Sequence, residues 1–348
     1  MSVSLIICCY NSAGRLPDTL AHLARQVVEV PWEVIIVDNN CTDNTVEIGQ
    51  QTWTNLGSPA NLQMVQEEQS GLSYARRRGL DMAQYDYAIF CDDDNWLSPD
   101  YVQKVQEVFD AHPDVALVGG DAEPGFEPGA EPPSWFGPFQ GYYAIGQQGE
   151  SAGYVPDERG YLWGAGLGLR ISALRKLYES GFTSLLSDRQ GSQLSSGGDG
   201  ELCFALRLLG WRLWYEPELQ LTHVMSASRL TWNYYLRLLW GHSVSQVGLV
   251  PYYQALGKQH FFPGPEISRL AWWRHLLSRT RQLLRFGPRW LRPWRADTPA
   301  DQTQMNMIKD WARCYQLWAF GYNTYQRRFQ VVQQTLKPNT HSPLSPQQ

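Results

Sequence analysis

Cysteine is scarce in this 348-residue chain, and its few copies are scattered. The six cysteines form no C-x-x-C pair and stand at positions 8, 9, 41, 91, 203 and 314. A structural zinc site or a disulfide framework requires a regular set of closely spaced cysteines, so neither is expected. The pattern is typical of a reducing compartment, in which Cys8 and Cys91 serve as small core residues.

Long hydrophobic runs are also missing. No window of about 18 uninterrupted apolar residues occurs, which argues against a membrane-spanning helix. The N-terminus has no basic leader, and its apolar run at residues 5–9 is shorter than the core of a signal peptide. We therefore expect a mature chain that starts at Met1 and stays in the cytoplasm. The usual signatures of nucleic-acid-binding proteins are absent, so nucleic acid is not an expected partner.

Acidic residues are rare in the last third of the chain. Residues 229–348 hold 4 of the 34 Asp and Glu but 16 of the 29 Lys and Arg, within a formal net charge of −5. This asymmetry predicts an acidic part that could hold a cation and a basic part that could face an anionic surface. We expect a catalytic domain at 1–228, with halves near 1–120 and 121–228, a helical extension at 229–336 and a disordered tail at 337–348.

Short apolar runs alternate with helical periodicity over the first 120 residues. The runs VSLIICC, EVIIV and YAIFC each end in polar residues, and helical spacing follows each of them. This alternation predicts an α/β fold, a mostly parallel sheet flanked by helices. Because ligands of open α/β sheets bind at the carboxyl ends of the strands, Tyr10, Asp38 and the triplet Asp92, Asp93 and Asp94 are expected in one site.

The second half of the predicted domain has weaker signals. Residues 121–160 are rich in proline, glycine and aromatic residues, which favours an ordered lid or substrate wall. Residues 195–200 read as a turn cluster that places Asp199 on a flexible loop, followed by a helix at 201–209. Two strands are predicted at 211–215 and 219–222, and His223 ends the second of them.

The three adjacent aspartates suggest a cation site. Like charges this close repel one another, and oxygen ligands suit Mg²⁺ or Mn²⁺ together with substrate phosphates. The alternative is a solvated turn that caps the following helix, but the position at a strand end favours the cation.

Four further polar or aromatic residues have a chemical and a structural interpretation. Asp38 could accept hydrogen bonds from a base or ribose, or cap a helix; Tyr10 could stack on a base, or lie at the rim. Asp199 could be a general base or an N-cap. His223 could bind metal, although a lone histidine is more often structural.

Five motifs carry a family resemblance. They occur in order as VSLIICCYNSAGRL, EVIIVDNNCTDNT, GLSYARRRGL, YDYAIFCDDDNWLSPDYV and GGDGELCFALRLLGWRLWYEP. Together they resemble the successive motifs of family-2 glycosyltransferases over about residues 2–224. These are inverting enzymes of the GT-A fold that use nucleotide sugars.

The resemblance implies a role for each matching position. Tyr10 and Asp38 would hold the nucleotide base, Arg76 corresponds to the arginine of an A-R-N element, and Asp92, Asp93 and Asp94 match the D-x-D motif. Within that motif Asp94 would bind the metal, and Asp92 or Asp93 would contact ribose or metal. Asp199 would be the catalytic base, and His223 would complete the metal or diphosphate site.

Two positions depart from the family pattern. Gly198 replaces the glutamate of the usual Glu-Asp pair, and Arg77 replaces the asparagine of A-R-N. Glu201 is a nearby substitute for the missing glutamate. We expect it on the acceptor side together with Trp135 and Trp163.

The basic extension has two helical patterns. Residues 268–286 form an amphipathic stretch that suits a helix on an anionic membrane surface, or one whose apolar face packs on the catalytic domain. Apolar and aromatic residues recur at heptad spacing over 308–336, with Gly321 as a weak point. Because this seam is mostly aromatic, an intrachain helix is favoured over a coiled coil, and a homodimer is the weaker alternative.

The resemblance implies metal-assisted, inverting sugar transfer. The missing leader and the basic extension predict a cytoplasmic enzyme that contacts the inner face of the membrane peripherally. The donor is a nucleoside-diphosphate sugar, with UDP favoured, and the acceptor is a glycan or lipid-linked glycan of a surface or exported polysaccharide. The alternative is a non-catalytic protein that binds nucleotide sugars or glycans and docks on membranes through its helical tail. The Gly198 departure is the feature that favours this alternative.

Overall fold

A mixed β-sheet organises the first two thirds of the chain. The structure is a computed structural model that describes residues 1–186, 197–258, 267–285 and 302–336. Within these ranges the strands are Val3–Cys9 (β1), Trp32–Asp38 (β2), Asn61–Gln66 (β3), Tyr87–Asp92 (β4), Asn95–Leu97 (β5), Val115–Phe126 (β6), Gly153–Tyr154 (β7), Gly168–Arg170 (β8) and Arg212–Met225 (β9).

The strand order separates a parallel half of the sheet from a mixed half. The order is β3-β2-β1-β4-β8-β6-β9-β5, and β7 pairs with the N-terminal part of β9. Strands β1 to β4 are mutually parallel, whereas β8 joins β4 and β6 in antiparallel fashion. The predicted α/β fold is confirmed, with more antiparallel pairing in its second half than the sequence indicated.

Helices cover both faces of the sheet and continue into the extension. They are Leu16–Leu23 (α1), Thr45–Asn55 (α2), Leu72–Met82 (α3), Tyr101–Ala111 (α4), Phe136–Phe139 (α5), Ile171–Glu179 (α6), Gly198–Leu208 (α7), Trp232–Gly248 (α8), Val250–Ala255 (α9), Arg269–Arg285 (α10) and Gln302–Thr335 (α11). Two 3₁₀ turns lie at Gln140–Tyr143 and Ala227–Leu230. Among the helices of the described ranges, none combines the length and apolar character needed to cross a bilayer.

The central strands are buried on both sides because helices pack on each face. Alternate side chains of β1 enter different clusters: Ile6 belongs to the cluster that contains residues of α3, α6 and α7, and Leu5 belongs to the one that contains residues of α1 and α4. This explains why the sequence shows continuous apolar runs rather than alternation. All six cysteines are free thiols.

Three sequence expectations are wrong in detail. One long strand, β9, replaces the two strands predicted on either side of Pro217, and His223 lies inside it. The pairing of β6 with β9 shifts between Gly119 and Asp121, so a bulge accommodates the proline. Helix α7 starts at Gly198, which places Asp199 in its first turn rather than on a flexible loop.

The predicted aromatic seam of the extension is wrong in its first half. Ile308, Tyr325 and Phe329 are buried as expected, but Trp311 and Trp318 are exposed. The break comes at Gly321, whose φ of 64° and ψ of 157° interrupt α11 and change its face. The predicted disordered tail at 337–348 lies outside the described residues.

A methyl group at Gly120 should destabilise the sheet. Its Cβ would lie 1.8 Å from the Leu219 carbonyl oxygen, because β9 crosses closely at the bulge. We expect Gly120→Ala to lower the free energy of unfolding by about 2–3 kcal/mol, measured by urea denaturation. Gly137→Ala is the matched control, since a Cβ there meets nothing within 4 Å. Equal stabilities of the two variants would contradict this account.

Candidate functional site

Polar side chains gather at the carboxyl edge of β1, β2 and β4. The registers pair Cys9 with Asp38 and Cys8 with Asp92, so the ends of the three strands lie side by side. Tyr10 follows β1 and is 55% exposed, which leaves its ring open to a stacking ligand. The Asp38 carboxylate accepts a hydrogen bond from the Cys41 amide at 2.8 Å. The structure thus places Tyr10, Asp38 and the aspartate triplet on one edge.

Each aspartate of the triplet faces an arginine. Arg15 Nη2 donates to Asp93 Oδ2 at 2.6 Å, and Arg229 Nη1 lies 2.7 Å from Asp94 Oδ2. The Asp93 and Asp94 side chains are almost fully buried. Burial, with the neighbouring Asp94 charge, raises the pKa of Asp93, and Arg15 opposes that shift. Guanidinium groups of the chain itself thus supply positive charge to the triplet, which the sequence assigned to a bound cation alone.

A third arginine joins two halves of the site. Arg76, on α3, donates from Nη1 to Asp199 Oδ1 at 2.6 Å, and its Nη2 lies 3.9 Å from Asp92 Oδ1. The guanidinium also stacks over the Phe90 ring at 4.8 Å. One side chain thereby connects the end of β4 to the start of α7.

The position of Asp199 depends on a glycine. Gly164 donates its backbone N–H to Asp199 Oδ2 at 3.0 Å. A Cβ at Gly164 would lie 2.3–2.6 Å from the atoms of that carboxylate, so the carboxylate occupies the space of a missing side chain. Asp199 remains 34% exposed, which allows a ligand to reach it.

His223 lies beside Asp94 because β5 and β9 pair in antiparallel register. Its Nδ1 is 2.9 Å from the Tyr143 carbonyl oxygen, and its Nε2 is 3.4 Å from Asp94 Oδ1. A carbonyl oxygen only accepts, so Nδ1 carries a proton, and Nε2 is the ring nitrogen that faces Asp94.

The Asp94 carboxylate and the His223 imidazole together suit a divalent cation. A histidine whose other ring nitrogen donates to a backbone carbonyl is typical of metal ligands, and a carboxylate beside it adds an oxygen ligand. Among the described residues no group of three or more His, Cys, Asp or Glu could hold a metal. The described residues would therefore supply two ligands, and other ligands would have to come from outside the protein.

The predicted acceptor-side residues separate in the structure. Trp163 precedes Gly164, so one peptide bond joins it to the residue that holds Asp199. Its ring lies under the Arg159 guanidinium at 5.2 Å, and its backbone N–H donates to Gln148 Oε1 at 2.8 Å. Trp135 instead packs on α8, with ring centroids 5.2 Å from Trp232.

The interpretation of Glu201 as a substitute base is contradicted by its surroundings. Its side chain is buried, with the residue 1% exposed, and its oxygens accept from the Leu185 amide at 2.7 Å and the Tyr252 hydroxyl at 2.8 Å. The Ser184 hydroxyl and the Leu186 amide donate to it as well. Burial raises the pKa of Glu201 despite these donors. The residue fastens α7 to α9 and to the segment at 184–186.

Comparison with known proteins gives a family and related enzymes. Residues 4–177 match the model of glycosyl transferase family 2. The glucosyl-dolichyl phosphate glucuronosyltransferase of Haloferax volcanii is 23% identical over 239 residues, 67% of this chain and 72% of that protein. The chondroitin synthase of Escherichia coli is 33% identical over 119 residues, 34% of this chain and 17% of that protein.

A solved structure shares the fold. The mannosyltransferase PcManGT from Pyrobaculum calidifontis, in complex with GDP-Man and Mn²⁺, aligns with a TM-score of 0.53 at 15% identity. The alignment covers 92% of this chain and 88% of that chain. At this identity the likeness shows the common fold.

Removing Arg229 should leave a buried charge without its partner. We expect Arg229→Met to lower the free energy of unfolding by about 3 kcal/mol, measured by urea denaturation in EDTA. The double variant Asp94→Asn/Arg229→Met should lose clearly less, because the unpaired carboxylate is gone. Equal losses in the single and the double variant would show that the unpaired Asp94 carboxylate is not the cause of the lost stability.

Proposed function

The chain belongs to glycosyl transferase family 2, and from this we propose that it transfers a sugar from a nucleoside-diphosphate sugar to an acceptor hydroxyl with inversion of the anomeric centre. It is a glycosyltransferase, and the non-catalytic alternative is set aside on family membership. The observation that carries the mechanism is the Asp199 carboxylate, which Arg76 and the Gly164 amide hold at the strand edge that bears the triplet.

The donor is proposed to bind along the edge of β1, β2 and β4. The exposed Tyr10 ring would stack on the base, and Asp38 would accept hydrogen bonds from base or ribose. Asp92 and Asp93 would line the ribose and diphosphate. Their arginine partners would place positive charge near the phosphates, because Arg76 already approaches Asp92 and Arg15 contacts Asp93. UDP remains the favoured nucleotide.

Asp94 and His223 are the residues proposed to hold Mn²⁺ or Mg²⁺. When bound, such a cation supplies Lewis-acid stabilisation of the diphosphate that leaves. The hydrogen bond to the Tyr143 carbonyl oxygen fixes the orientation of the His223 ring. Arg229, which forms an ion pair with Asp94, would add a fixed positive charge beside the proposed cation position.

Asp199 is proposed as the general base. Its carboxylate would take the proton from the acceptor hydroxyl while that oxygen bonds to the anomeric carbon. The bond to the nucleoside diphosphate breaks on the opposite face, so one displacement inverts the centre. Arg76 and Gly164 would orient the carboxylate, and Trp163 would form the acceptor wall beside it.

The acceptor is proposed to be a glycan or a lipid-linked glycan of a surface or exported polysaccharide. The names of two relatives support this: one is a glucuronosyltransferase named for glucosyl-dolichyl phosphate, and the other is a chondroitin synthase. A cytoplasmic location and peripheral membrane contact through residues 268–286 are parts of the proposal, and a homodimer stays the weaker alternative.

Replacing the base should separate binding from chemistry. We expect Asp199→Asn to bind donor nucleotide normally but to lower kcat at least about 100-fold, because the amide cannot take the proton. Transfer is measured by release of nucleoside diphosphate in the presence of acceptor. Asp81→Asn is the control, since Asp81 forms an exposed pair with Arg77 outside the site. Turnover of Asp199→Asn at the rate of the unchanged protein would refute this role.

Nucleotide binding should depend on a divalent cation. We expect UDP with Mn²⁺ to raise Tm, and both EDTA and Asp94→Asn to remove most of the increase, because a ligand that binds the native state stabilises it. GDP, dTDP and CDP are measured in parallel, with Asp81→Asn again as control. A shift with GDP alone would overturn the UDP preference. No shift with any nucleotide would overturn the donor site.

A further inference from the structure

Helices α10 and α11 pack side by side in opposite directions. At one end Arg269 donates to Asn323 at 3.0 Å, and at the other Arg279 donates to Asp310 at 2.8 Å. Between these ends Trp272 stacks with Phe320. The two helices therefore form an antiparallel pair with a continuous contact line.

In the sequence of each helix, a large apolar residue comes directly after several of the residues that form this contact line. On α10, Leu270, Trp273 and Leu277 come directly after Arg269, Trp272 and Leu276. On α11, Trp311, Tyr315 and Trp318 come directly after Asp310, Cys314 and Leu317. Successive side chains of an α-helix point about 100° apart around its axis. In two antiparallel helices, the residues that follow the contact residues therefore point to the same side of the pair.

The shared side is an exposed apolar surface, which we call the α10–α11 face. Its side chains are 50–72% exposed: Leu270, Trp273, Leu277, Leu284, Trp311, Tyr315 and Trp318. Single exposed apolar residues are common, but a set this large on two adjacent helices indicates an interaction surface. Trp240 of α8 extends it, with its ring 5.7 Å from that of Trp311.

On the described residues of α10 and α11, the exposed charges have one sign. Arg274, Arg281 and Arg285 are exposed along the outer edge of α10, and α10 contains no acidic residue. The single acidic residue of α11, Asp310, is buried and paired with Arg279. A partner of matching chemistry is therefore apolar and anionic.

We propose that the α10–α11 face docks on the surface of an anionic lipid bilayer. Its tryptophan and leucine side chains would enter the boundary between headgroups and acyl chains, and the three arginines would contact lipid phosphates. A second copy of the chain fits less well, because two such faces would bring their arginines together. The inference extends the membrane contact expected from residues 268–286 to α11, and it does not depend on the catalytic role of any residue.

Flotation of the full chain with lipid vesicles tests this proposal. We expect binding to phosphatidylcholine vesicles that contain phosphatidylglycerol, and little binding without it. The variant Arg274→Gln/Arg281→Gln/Arg285→Gln should weaken binding about 100-fold. The control Arg25→Gln/Arg175→Gln/Lys176→Gln removes three exposed charges elsewhere and should bind normally.

The contribution of α11 needs its own variants. Trp311→Ala/Trp318→Ala, both on α11, should lower binding at least about tenfold, whereas Val27→Ala/Leu56→Ala, exposed apolar residues elsewhere, should not. Melting curves establish that every variant is folded. Absence of binding to anionic vesicles, or binding unaffected by the arginine variant, would overturn the proposal. A dimer in sedimentation that the tryptophan variant dissolves would also overturn it, in favour of a second copy.

Discussion

The site depends on the neutralisation of carboxylates by arginines that come from distant parts of the chain. Asp93 and Asp94 are buried, and buried like charges are tolerated only when opposite charges and hydrogen bonds compensate for lost water. Arg15 precedes α1, Arg76 lies on α3 and Arg229 follows β9, so each ion pair also joins two elements. The strand edge is thus held together by the charges that a donor diphosphate would meet.

The helical extension is part of this arrangement. Arg229 stands at the first position of the predicted extension, yet it contacts Asp94. Farther along, Tyr252 donates to Glu201, and Arg328 donates to the Leu185 carbonyl oxygen at 2.6 Å. These contacts fix α7, the helix that carries Asp199. The boundary predicted between 228 and 229 therefore separates residues that act together, although the division itself remains a prediction.

Local signals made the first half of the fold predictable from the sequence. Buried parallel strands produce continuous apolar runs, and polar residues at their ends identified the edge that carries Tyr10, Asp38 and the triplet. The second half was less predictable, because Pro217 suggested a break where β9 instead bulges. The partners of the triplet could not be found, since Arg15 and Arg229 approach it only in the folded chain. Glu201 looked functional because it is close to Asp199 in sequence. On helix α7, however, Glu201 points into the core while Asp199 stays partly exposed.

Gly164 has a consequence for comparing relatives of this enzyme. The space beside its Cα is filled by the Asp199 carboxylate, so the two positions, 35 residues apart, share one volume. A relative with any side chain at the position of Gly164 cannot keep the aspartate in this place unless the start of the helix moves. The identity of that single residue, read from an alignment, therefore separates homologues that can retain this geometry from those that must have rebuilt it.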